Sequence, residues 1–339
     1  MQGTESVAMP DQPATTERSK APVFVLGCGR SGTTLLYHML LSSGNFVLYR
    51  TESNAINLLE PRFGDLSIAW NRRRLMKAWY NSRLYTLSGL EKEPLEARLN
   101  AECRNGGDFL RIIMEEMGKQ QGVERWAECT PEHLLHLPRI KETIPNALII
   151  HIIRDARDVT LSMDKGFWIR PLPWDMENRL QVTGLYWEWI VQKGRRDGAK
   201  MPADYTEVHF EELVQHPHET LKRLGQFIDH DLDYDRIQKV GIGSVTNPNT
   251  SFDSGANFNP VGRWKDKFPP DELKKFEALI GPTLEELGYP LTTKGSGLED
   301  SAELKRMRSM YRKYFDSKLW LKANTPLGRL LVTRDLEWV

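Results

Sequence analysis

Pro22-Val23-Phe24-Val25-Leu26-Gly27-Cys28-Gly29-Arg30-Ser31-Gly32-Thr33-Thr34 decides the fold. Pro22 to Gly27 is a short apolar, β-branched run ending in glycines, which reads as a buried strand, and Ser31 to Leu41 reads as the helix that follows it. Between them, a glycine-rich turn can aim backbone N–H groups and a helix N-terminus at a phosphate. The spacing is that of the nucleotide-triphosphate loop G-x-x-x-x-G-K-[ST], but Thr33 stands where that loop carries its lysine. The positive charge has moved to Arg30. Its guanidinium could hold a phosphate or sulfate bidentately, while Ser31, Thr33 and Thr34 add hydroxyl donors. The plainer reading of the same residues is a turn that only caps a helix.

Working outward, Ala147 to Ile153 is a continuous apolar run that suits a central parallel strand covered on both faces. It leads into a helix over Asp158–Met163. Arg125–Glu128 and Thr206–Phe210 read as further strands. Helical patterns fall at Ile68–Leu87, Asp108–Met117, Glu132–Thr143, Met176–Arg195, Thr220–Phe227 and Asp271–Leu287, and Thr51–Leu59 reads as a loop and short helix. Strand and helix alternate from Pro22 to about His230, so the expected architecture is α/β: a mostly parallel sheet with helices on both faces. Ile242–Pro260, rich in Gly, Ser, Asn and Pro, reads as a long loop.

The chain has 339 residues, 40% of them hydrophobic, enough for a substantial core. Lys and Arg together number 46, as do Asp and Glu, so no global basic field recruits nucleic acid and any anion site must be local. Cys28, Cys103 and Cys129 lie far apart, an odd set that points to a reducing compartment rather than a disulfide framework. Met1–Lys20 lacks the apolar core of a signal peptide, and no run approaches a membrane span. The expectation is a soluble, cytoplasmic protein: a loose tail over 1–20, a catalytic domain over 21–295 and a C-terminal helical tail over 296–339.

Three motifs, in order, resemble PAPS-dependent sulfotransferases, most nearly the tyrosylprotein and bacterial branch, which shares the P-loop-like fold. PAPS is 3'-phosphoadenosine 5'-phosphosulfate. The loop around Gly29, Arg30, Ser31, Gly32, Thr33 and Thr34 is similar to the family's 5'-phosphosulfate loop. Ile153-Arg154-Asp155-Ala156-Arg157-Asp158, followed by Ser162, resembles the strand-end R-D-P-R-D element, whose first arginine and later serine grip the 3'-phosphate; Ala156 replaces the usual proline. Val261-Gly262-Arg263-Trp264-Lys265 resembles the late G-R-W segment that closes over the nucleotide. The resemblance implies PAPS as donor, 3',5'-ADP as product and no metal. From the residues themselves, Arg157 also reads as a local ion-pair partner at a helix start, and Trp264 as a packing residue.

Sulfuryl transfer needs a base for the acceptor proton and donors for the oxygens that gain charge. Arg30 is the candidate catalytic cation. Glu52 resembles the base of the tyrosylprotein branch, and His133 is a second candidate that could equally be structural. Glu128-Cys129-Thr130-Pro131 departs from the family, since Cys129 stands where many relatives carry lysine. Phe167–Trp174, interrupted by Pro171 and Pro173, could line an apolar or ring-containing acceptor site of otherwise unknown class. A nucleotide kinase or NTPase, and a non-catalytic nucleotide-binding protein, are the competing functions. In the tail, Met307, Met310, Tyr311, Tyr314 and Phe315 form one helical stripe among basic residues. It could lie on an anionic membrane through 301–339, or pack on the domain or a second copy.

Overall fold

The computed structural model describes residues 18–240, 260–293, 297–298 and 301–327. Most of the expected N-terminal tail, the 242–259 stretch of the long loop and the chain end from residue 328 lie outside them. Strands β1 (Val23–Gly27), β2 (Ala127–Glu128), β3 (Leu148–Ile153) and β4 (Tyr205–His209) form one parallel sheet in the order β2-β1-β3-β4. In register, Val23 faces Leu148 and Gly27 faces Ile152, while Ile149 faces Tyr205 and Ile153 faces His209.

The apolar runs of β1 and β3 have no polar alternation because both faces are covered. Phe24, Leu26, Ile149 and Ile153 enter one core; Val23, Val25, Ile150 and Ile152 enter the other. The second core is closed by α1 (Thr33–Ser42), through Leu36, Tyr37 and Leu40, and by Leu221, Leu224 and Ile228. Into the first pack α2 (Ala69–Tyr80), α3 (Gly106–Gln121), α4 (Ala156–Asp164) and α5 (Arg179–Gly198). The Leu221–Ile228 stretch belongs to α6 (Pro217–Ile228), and α7 (Pro270–Glu286) and α8 (Ala302–Asn324) complete the first core.

Several boundaries differ from expectation for local reasons. β2 keeps two residues, and just before it the Arg125 carbonyl accepts the Val47 N–H at 2.8 Å, outside the sheet. Ile68–Leu87 divides into α2 and a short helix at Arg83–Ser88, and Glu132–Thr143 into a 3₁₀ turn at Pro131–His136 and a helix at Leu137–Thr143. The helix at Lys92–Glu102 is additional; its apolar anchors are Leu95 and Leu99 alone, too few for a clear stripe.

The tail stripe packs inward. Met307, Tyr311 and Phe315 are buried, and the Phe315 ring lies 5.6 Å from Tyr186 and 5.4 Å from Trp189 on α5. Arg308 donates to Glu188 at 2.6 and 3.0 Å, and Trp189 Nε1 donates to Asp316 at 2.8 Å. Arg306, Arg312, Lys313 and Lys318 face outward. No helix among the described residues is long and apolar enough to cross a membrane.

Candidate active site

A parallel sheet brings every strand's carboxyl end to one edge, where open α/β sheets bind ligands. Here the loop after Gly27, the turn after Glu128, Arg154 after β3 and Phe210 after β4 meet at that edge. Gly32, with φ of 98°, could not be another residue: a Cβ there would lie 2.4 Å from the Phe210 ring. Arg30 itself takes a left-handed φ of 69°, a conformation that costs a non-glycine residue energy and recurs at functional sites. Its Nε donates to Ser162 Oγ at 2.9 Å, and its guanidinium lies 5.5 Å from the Trp168 ring centre. Ser31 Oγ is buried with no hydrogen-bond partner among the described residues. Gly29 and Thr33 are also buried, and Thr34 is exposed.

Arg154 rises from the end of β3 beside this loop. It donates to the Arg30 carbonyl at 3.1 Å and the Pro260 carbonyl at 2.6 Å, and lies 4.3 Å above the Phe210 ring. Its Nε is buried without a partner among the described residues. Burial pushes its pKa down; Asp158 and Glu211 oppose that shift, while Arg263 and Arg30 add to it. The charges of Arg263 and Arg30 thus both act against that of Arg154, an arrangement that an anion would relieve. Ser162, expected beside Arg154, is bonded to Arg30, so the hydroxyl joins the two halves of the cluster.

Asp158 accepts the N–H groups of Gly262 at 2.8 Å and Trp264 at 2.9 Å, which fixes the Val261–Lys265 segment to the first turn of α4. The two open readings in this region resolve toward structure. Arg157 is held by both oxygens of Asp155 at 2.9 and 2.7 Å and by Glu277 at 2.7 Å, and stacks 3.7 Å over the buried Trp264 ring. In the same segment Arg263 is half-buried and Lys265 is exposed.

On the acceptor side, Glu52 is half-buried, and its charge helps to raise the pKa of Cys129. The Cys129 thiol is pushed far up by burial, then by Glu128 and Glu52, so it stays neutral and supplies no positive charge. His133 is fully buried: Nδ1 meets Glu128 Oε2 at 2.9 Å and Nε2 accepts the Ile56 N–H at 3.2 Å. Both ring nitrogens of His133 are thus engaged within the fold. Glu128 also accepts from Ser53 N–H at 3.2 Å, Ser53 Oγ at 2.8 Å, Thr130 N–H at 3.0 Å and the Thr130 hydroxyl. His151, within β3, bonds Tyr205 at 2.6 Å as a core residue.

Sequence reasoning missed Phe210, the support of both Gly32 and Arg154, and the placement of Trp168 over Arg30. An aromatic directly after a strand end was the available signal for the first; nothing local signalled the second. Phe167, Trp168 and Trp174 are all half-exposed or more on the loop beside the cluster.

The model of the sulfotransferase family matches residues 22–234. A Caenorhabditis briggsae protein carrying a provisional protein-tyrosine sulfotransferase name is 25% identical, covering 79% of this chain and 88% of its own. Protein-tyrosine sulfotransferase 1 of Danio rerio is 24% identical, covering 79% and 72%. Among solved structures, the sulfotransferase domain from the curacin biosynthetic pathway has a TM-score of 0.51 at 16% identity, covering 80% of this chain and 98% of its own. The sulfotransferase domain of the Synechococcus PCC 7002 olefin synthase has a TM-score of 0.50 at 18% identity, covering 80% and 95%. Both share the α/β fold.

Proposed function

The chain belongs to the sulfotransferase family, and from that premise we propose that its arginine cluster holds PAPS and that a protein tyrosine hydroxyl accepts the sulfuryl group. The observation that carries the donor assignment is the meeting of Arg30 and Arg154 at the sheet edge, where Arg154 donates to the Arg30 carbonyl, with two buried donors, Ser31 Oγ and Arg154 Nε, lacking partners among the described residues. Such donors are costly to bury unsatisfied, and phosphate or sulfate oxygens would satisfy them.

Transfer forms a bond from the acceptor oxygen to sulfur and breaks the bond from sulfur to the 5'-phosphate oxygen, while the acceptor gives up its hydroxyl proton. In our assignment Arg30, Ser31, Gly32, Thr33 and Thr34 hold the 5'-phosphosulfate at the N-terminus of α1, whose dipole also favours the charge that develops there. Arg154 and Ser162 hold the 3'-phosphate, with Arg263 and Lys265 above them, and Glu52 takes the acceptor proton. The tyrosine acceptor is supported by the names of the relatives and by the exposed aromatic rings of Phe167, Trp168 and Trp174, which suit a ring beside Arg30. No observation favours a kinase or a non-catalytic binder.

Calorimetry with 3',5'-ADP in the absence of metal should show binding, and Arg154→Ala should weaken it by about 1.5 to 3 kcal/mol, as for a hydrogen bond to a charged group. Unchanged affinity overturns the 3'-phosphate assignment. With sulfur-labelled PAPS, a tyrosine peptide should take up label and its phenylalanine counterpart should not. Label entering only carbohydrates or lipids overturns the acceptor assignment.

A further inference from the structure

Trp168 reaches Arg30 from a loop that a distant helix holds in place. Its ring lies over Gly29, where a Cβ would come within 3.3 Å of it, and folds back on Gly166, where a Cβ would come within 2.3 Å of Nε1. Two glycines thus make room for one ring beside the Arg30 guanidinium. The loop starts at the end of α4, where the Met163 and Asp164 carbonyls accept from Gly166 and Phe167 at 3.1 Å each. Farther on, Pro171 and Pro173 have no N–H, so between them only Leu172 can donate. That N–H donates to the Tyr311 hydroxyl of α8 at 3.0 Å, across 139 residues of sequence. Leu172 in turn accepts from Asp175 N–H at 2.9 Å. The Tyr311 side chain is fully buried, and burial keeps its hydroxyl protonated.

We propose that the Tyr311 hydroxyl is a positioning group for the donor site: by holding Leu172 it keeps Trp168 on Arg30, where the indole shuts water away from the 5'-phosphosulfate loop. This rests on the assignment of that loop to PAPS. Water is the competing acceptor at such a site: its oxygen bonds to sulfur, the sulfur–phosphate oxygen bond breaks, and sulfate, 3',5'-ADP and protons are released. A covered site suppresses that side reaction. Helix α8 lies beyond the part of the chain matched by the family model, so this control would be added to the shared catalytic core.

The test uses the full chain with Tyr311→Phe, which keeps the ring and removes only the hydroxyl, Trp168→Ala, and both together. Amide exchange followed by mass spectrometry should quicken over residues 166–175 in Tyr311→Phe, with 3',5'-ADP affinity unchanged. Release of 3',5'-ADP from PAPS without acceptor should rise roughly fivefold, the factor that one neutral hydrogen bond is worth. Because both changes act through the same ring, the double variant should release no faster than Trp168→Ala alone. Unchanged exchange, unchanged release or additive increases each overturn the proposal. A native chain that neither binds 3',5'-ADP nor consumes PAPS overturns instead the donor assignment beneath it.

Discussion

At the scale of single residues, the candidate donor residues could be picked out from sequence because the pattern that marks them is local. A cation at a strand end and hydroxyls at a helix start carry their meaning within a few positions, as Arg30, Thr33 and Arg154 do. What those residues lean on was not readable, since Phe210 under Arg154 and Ser162 on Arg30 are contacts made only through the fold. The acceptor half is less complete, and Glu52 carries most of its weight. Glu52→Gln keeps the side chain's shape and removes its basicity, so turnover should fall roughly a hundredfold or more. Steady-state kinetics beside 3',5'-ADP calorimetry separate the two effects, with affinity expected to hold. Normal turnover in this variant would remove Glu52 from the mechanism.

At the scale of elements, the strands were legible from unbroken apolar runs, whereas the turn after β2 was not. There the sequence offered Cys129 as a missing lysine and His133 as a spare base. The structure makes Glu128 the organising residue, joining the end of β2, the Ser53–Ile56 turn and the 3₁₀ turn at His133. Burial alone would raise the Glu128 pKa, but His133 and the hydroxyls of Thr130 and Ser53 outweigh it and hold it at about 2, below the ordinary 4.5. A depressed carboxyl stabilises the fold fully above its unfolded pKa, and the contribution is lost as pH falls from about 4.5 toward about 2. Glu128→Gln should therefore cost about 2 to 3 kcal/mol at pH 7, near the value of a hydrogen bond to a charged group. Urea melts of both proteins over that acid window should show the gap between them closing as pH falls. A gap that stays constant would mean that the carboxylate charge contributes nothing there.

For the whole molecule, 46 basic and 46 acidic side chains leave no net charge, so attraction of an anion to the sheet edge has to come from local placement of guanidiniums. The same balance made the basic tail look like a separate device. Its apolar stripe was legible from three- and four-residue spacing, but spacing cannot say which surface a stripe covers. The partner surface on α5 lies more than a hundred residues away in sequence: Arg308 and Glu188, for example, are 120 apart. Because Met307, Tyr311 and Phe315 share the core that covers the sheet, α8 is expected to behave as part of the catalytic unit and not as an appendage. A chain ending at Gly295 would lose all three, each buried side chain worth about 1.5 to 3 kcal/mol. It would also expose Tyr186 and Trp189 and take the Arg308 guanidinium from the buried Glu188 carboxylate. Calorimetric melting and sedimentation should show a clearly lower Tm and self-association through the uncovered face. If the shortened chain melts with the full one and stays monomeric, α8 contributes nothing to the core and the boundary at 295 divides two independent parts.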